Sequence, residues 1–196
     1  MANKVYNMAG GLHSAAAYAA FEDSMYGTCV AGDSSFAVSA GTGMNVVIAP
    51  GDGLISTGTG FARRIGADAS NTVSLGAASS ANPRIDSVVA YIDNSVTPST
   101  SVVDNTNGIL KFKSVAGSPA ATPSAPSTAT IQSSVGAGNP YMILANVAVA
   151  KNASAAGTIT DVRKVAGWVR LQLSTTDIGE GAPLPEGTLY GVYEES

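Results

Sequence analysis

The spacing of apolar positions changes once along this chain. Over residues 15–25 it is helical: an Ala-rich run, then Phe21 and Met25 in step with Tyr18. Ser14 can cap this segment and Gly27 can stop it, so one short helix is expected. Residues 1–13 precede it as an extended arm with Gly10-Gly11 as a joint. The apolar stripe of the helix must dock on something, either its own domain or a neighbouring subunit around a shared axis. Both dockings fit the pattern, so Tyr18, Phe21 and Met25 are candidate assembly contacts.

After Gly27 the texture is β. Runs rich in Val, Ile, Thr and aromatics alternate with Gly, Asn, Asp and Pro. Strands are expected at 44–49, 53–56, 60–65, 72–75, 85–93, 101–104, 109–115, 141–150, 158–163, 168–173 and 188–193. Two alternate with period 2: Leu110 and Phe112 oppose Lys111 and Lys113, and Val169, Leu171 and Leu173 oppose Trp168, Arg170 and Gln172. Each pattern implies one buried and one exposed face. Asn107-Gly108 signals a hairpin, because both residues tolerate positive φ. Pro50-Gly51-Asp52-Gly53 reads as a tight turn between strands. Many short strands with frequent turns predict a mainly β fold, an antiparallel sandwich or barrel-like domain, with an N-terminal arm and one short helix. The division expected is arm and helix at 1–28 and a β domain at 29–196. The uncharged, proline-punctuated stretch 117–130 is either a surface loop or a strap along a neighbour. It is read as a connection inside the β domain, since it lies between strand candidates.

Composition sharpens the picture. The chain has 196 residues, enough to bury roughly 70% of its unfolded surface without a metal or disulfide. Charged residues make up 12%, about half the usual ~25%. Interface cores are depleted in charge, so a surface covered by other subunits accounts for this better than a neutral extracellular domain solubilised by Ser, Thr and Asn. The net charge is −4, and basic residues cluster only as Arg63-Arg64 and Arg163-Lys164, which argues against a nucleic-acid partner. Cys29 is the lone cysteine, read as a small buried hydrophobe. The start lacks the apolar core of a secretory signal. The longest uncharged stretch, 114–150, is broken by four prolines and cannot span a membrane.

Several segments resemble, in order, a β domain of minor tail and baseplate proteins of tailed bacteriophages. Gly43 to Ile55 (GMNVVIAPGDGLI) is similar to its opening, and Asn82 to Asp93 (NPRIDSVVAYID) to its most recognisable stretch. The likeness continues through Gly117 to Pro126 and Leu144 to Val149, and closes at Ile159 to Arg163. It spans residues 43–163, and Ala9 to Leu12 followed by a helix adds to it. The resemblance implies a non-enzymatic virion structural protein, commonly trimeric, assembled in the host cytoplasm with other virion proteins. Many such proteins carry a further receptor-reading domain. Here only 164–196 follow, so direct host binding is not expected, and a capsid decoration or head-fibre role is the alternative to a tail or baseplate one.

The same residues have physical roles of their own. Pro83 forces Asn82 into extended backbone, so the chain enters its strand straight. Arg84 and Asp86 then share a strand face, as do Asp161 and Arg163, and both are expected to be structural ion pairs. Val88 to Ile92 is apolar on both faces, as in a central strand.

Candidate chemistry is sparse. The one histidine, His13, lies in the arm, poorly placed for a Ser-His-Asp or Cys-His site. Zinc needs more Cys and His ligands than the chain has, and no nucleotide-binding glycine motif is complete. Asp33, Asp52 and Asp68 are loop aspartates on which a calcium ion could be imagined. Glu22, Asp23, Glu180, Glu186, Glu194 and Glu195 are too dispersed to suggest a glycosidase cleft. Neither a catalytic residue, a cofactor nor a metal is therefore expected. A carbohydrate-binding sandwich module that recognises a host-surface glycan would use Trp168, the lone tryptophan, in an aromatic-poor chain.

Overall fold

The computed structural model describes residues 15–58, 60–97, 108–166, 170–174 and 188–192. The chain forms two compact units, Met1–Val165 and Ala166–Ser196.

The first unit opens with α1 (Ala15–Tyr26), followed by β1 (Cys29–Val30), β2 (Val38–Ala40), β3 (Asn45–Ile48), β4 (Gly51–Ser56), β5 (Ala62–Ala67) and β6 (Asn71–Ser74). Then come β7 (Arg84–Ile92), β8 (Leu110–Val115), α2 (Thr128–Val135), β9 (Tyr141–Val149) and β10 (Ile159–Asp161). These strands form three antiparallel sheets, ordered β1-β4-β5, β2-β3-β6 and β10-β9-β7-β8. The fold is mainly β and sandwich-like, and the sheets do not close into a barrel. Val46, Ile48, Val73 and Leu75 from the β3–β6 side share one core with Val88, Ala90, Ile92, Leu144, Val147 and Val149.

The central strand is β7, paired with β9 on one side and β8 on the other. Its Arg84, Asp86, Val88, Ala90 and Ile92 take the sandwich face. Val89 faces a second cluster, with Val115 of β8 and Ile131 and Val135 of α2. The four-stranded sheet is thus covered on both sides, and the doubly apolar run in β7 follows from that. Opposite Val88 and Val89, β9 carries an extra residue: Val88 pairs with Ala145, but Val89 pairs with Ile143. The bulge at Leu144 shifts the strand's alternation by one, so Leu144 and Met142 join Val147 and Val149 in the same core.

Several expectations are corrected. A second helix, α2, begins inside the stretch expected to be an extended connection, so only 117–127 lacks regular structure. Ser127 caps α2 by accepting from the Thr130 N–H at 3.2 Å, and Ile131 and Val135, one turn apart, dock it on the sheet. Residues 117–127 are tied to their own domain: the Ala120 N–H donates to Pro83 O, and a Cβ at Gly117 would collide with the Ile85 carbonyl. Residues 50–53 do not make a tight turn. Ala49 and Pro50 carry the chain from one sheet to another, and Gly51 to Gly53 already belong to β4. A Cβ at Gly51 would strike the backbone of Ser35. There the chain turns Phe36 inward, fully buried at φ +57°, with its ring against Phe112 at 5.8 Å. The short strands β1 and β2 had no signal of their own. In the predicted hairpin, Gly108 has φ +83°, while Asn107 and the strand candidate 101–104 lie outside the described residues.

In the second unit, β11 (Arg170–Ser174) pairs with β12 (Thr188–Val192) in parallel, from Arg170↔Thr188 to Ser174↔Val192. Both strands were expected, without a pairing. A parallel pair needs a crossover of about a dozen residues, a length that 175–187 provides.

Candidate functional site

The first candidate surface is α1. Gly27 ends the helix in the left-handed region at φ +59°, and its N–H returns to Asp23 O at 3.0 Å. The Lys164 ammonium donates to Tyr26 O at the same end (3.3 Å), a favourable place for a cation. The helix packs on β4 and β5 of its own domain, but not through its stripe. At ~100° per residue, Ala19, Asp23 and Tyr26 share one side of the helix, and all three are partly covered. Tyr18, Phe21 and Met25 lie on the other side, exposed by 58%, 56% and 59%. With ~200 Å² for each large side chain, this is an apolar patch of roughly 350 Å², comparable to the largest patch on an ordinary monomer, which is often functional.

The second feature is a pair of arginine clamps. Arg84 and Asp86 project from one face of β7 into the core. The Arg84 Nε donates to Asp86 Oδ1 at 2.8 Å and Nη2 to Oδ2 at 3.1 Å. The guanidinium also donates to Ala77 O (2.6 Å) and Leu75 O (2.8 Å), and Asp86 Oδ1 accepts from the Gly117 N–H (3.1 Å). One buried ion pair therefore holds the β6–β7 loop and the start of the segment after β8. Alternation predicts the shared face, but not that Asp86 is 0% exposed.

Arg163 repeats the device at the end of β10. Its Nε and Nη2 grip Asp161 at 2.9 and 2.6 Å, and it donates to the carbonyls of Asp33 and Ser35. This pins the turn that delivers Phe36. Here the arginine is sunk, at 6% exposure, and the aspartate stands out at 57%. Arg163 holds the Asp161 carboxyl below the usual carboxylate range.

Both lysines of β8, read as its solvent face, are engaged toward α2 and the strand end. Lys113 donates to Ser134 O in the last turn of α2 (2.7 Å), and Lys111 pairs with Asp93 at 2.6 Å. The lysine alternation was legible, but the helix that covers that face was not.

Cys29 is 1% exposed, and burial pushes its thiol up, opposed by the smaller influence of Lys164. It packs as an apolar residue. Of the loop aspartates, Asp33 offers its carbonyl to Arg163, and Asp52 stands 3.7 Å from Arg64. Among the described residues no three His, Cys, Asp or Glu side chains come together as a metal site, and no helix is long and apolar enough to cross a membrane. His13, Trp168, Glu180, Glu186, Glu194 and Glu195 lie outside the described side chains. Comparison with protein-family models, curated proteins and solved structures finds no match for the chain.

Proposed function

We propose that this chain is a non-enzymatic structural subunit of a symmetric assembly, a tail- or baseplate-type surface component of a tailed-phage virion. The observation that carries the reading is the Tyr18–Phe21–Met25 face, an apolar stripe turned away from the sheet on which its helix rests. Low charge supports it, since a surface with 12% charged residues suits coverage by fellow subunits. So do the segments that resemble phage tail proteins, because 43–163 coincides with β3 to β10 of one sandwich-like unit.

Sedimentation of the purified full chain at micromolar concentration tests the assembly. A defined oligomer, which Phe21→Glu dissociates, is expected; a stable wild-type monomer refutes the reading. Antibody labelling of intact virions tests the location, with tail or baseplate labelling expected. Head labelling would replace that placement by capsid decoration.

A further inference from the structure

Resting on that reading, we propose that the partner of the α1 face is α1 of a second copy, packed in parallel around a rotation axis. Tyr18, Phe21 and Met25 recur at i, i+3 and i+7, which is the a-d-a spacing of a helical seam. Along such a seam identical helices interlock without any other surface having to match.

The direction follows from charge. With Tyr18 at a, Glu22 takes the e position, while the g positions carry Ala17 and Ser24. In a parallel seam an e residue lies against the preceding g residue of its neighbour, so Glu22 meets Ala17. In an antiparallel seam centred on the stripe, e lies against e, and Glu22 meets Glu22. The helix contains no lysine or arginine to relieve that pairing, and like charges at such positions are destabilising. A parallel seam also gathers the negative ends of the helices, and each end already carries the Lys164 ammonium on Tyr26 O. The stripe's roughly 350 Å² is less than half of the ~800 Å² per partner of a stable interface, so a stable oligomer requires further surface beside the seam.

Cross-linking of the full chain tests the direction. Tyr18→Cys and Met25→Cys are each prepared in the native background, where Cys29 is 1% exposed and wild type is the control. Along the helix the two sites are ~10 Å apart, more than the ~4.4–6.8 Å between Cα atoms that a disulfide spans. Under mild oxidation each variant alone is expected to form covalent dimers. Dimers formed only when the two variants are mixed would overturn the parallel seam. A second pair leaves the stripe intact: Ala17→Cys mixed with Glu22→Cys, joined by a short bis-maleimide, is expected to cross-link. Glu22→Cys joining itself would overturn the proposal. An oligomeric wild type whose variants never cross-link sinks the seam but leaves the assembly standing, whereas a monomeric wild type sinks both.

Discussion

Arg84→Met should be among the most damaging single substitutions in the first unit. In the native fold Asp86, with no solvent exposure, accepts two hydrogen bonds from Arg84 and one from the Gly117 N–H. Without the guanidinium the carboxylate keeps a single donor and no cation. The carbonyls of Leu75 and Ala77 also lose their charged partner. Removing one partner of a buried ion pair costs ~3–5 kcal/mol, at least about a fifth of the ~5–15 kcal/mol that holds a domain together. With a urea m-value of about 2 kcal/mol/M, the midpoint should fall by roughly 2 M. The double variant Arg84→Met/Asp86→Leu should lose less than the sum of the two singles, because it leaves no orphan charge. Asp161→Asn, which has the same spacing to its arginine but an exposed carboxylate, should cost only about 1 kcal/mol. Urea titration followed by far-ultraviolet circular dichroism reads all four variants. A midpoint shift below roughly 0.5 M for Arg84→Met, or strict additivity in the double variant, would refute the argument that this pair holds the two connecting segments.

Two further outcomes are expected. Ser114 Oγ is buried with no hydrogen-bond partner among the described residues. Ser114→Ala should therefore be neutral or stabilising by up to ~1 kcal/mol in the same titration, and a clear loss would mean that the hydroxyl is satisfied. Asp93 is held at about 2, below its ordinary 3.8, chiefly by its hydrogen bond from Lys111 and then by Ser95. Because the folded value is the depressed one, its contribution is complete above about pH 4 and is lost as the pH falls toward 2. Asp93→Asn should flatten the fall in urea midpoint across that window, and an unchanged slope would contradict the assignment.

Most strands were legible in the sequence because β signals here are local. The period-2 runs, the extended entry forced by Pro83 and the doubly apolar Val88 to Ile92 each report their own surroundings. The ion pairs were legible as spacing, since residues two apart in a strand share a face. Their depth was not, because burial of Asp86 depends on β6, β9 and the segment after β8 converging from distant positions. Helix α2 was hidden because Thr, Ser and Val are weak helix formers. What stabilises it is a serine cap and the docking of Ile131 and Val135, and only the sheet beneath supplies the second. The 50–53 segment misled for a related reason: its glycines serve close approach to Ser35 and Cys29 inside a strand, not a reversal of direction.

The end of the first unit has a mechanical consequence. Lys164 O accepts from the Val30 N–H at 2.8 Å, its ammonium reaches Tyr26 O, and Val165 bridges Val30 in parallel. Tension drawn through the polypeptide beyond Val165 is therefore received at β1, next to the root of α1, before it can peel β10 from β9. Load entering there would pass through β1 into the β1-β4-β5 sheet and to the C-terminal end of α1, leaving the pairing of β10 with β9 unloaded.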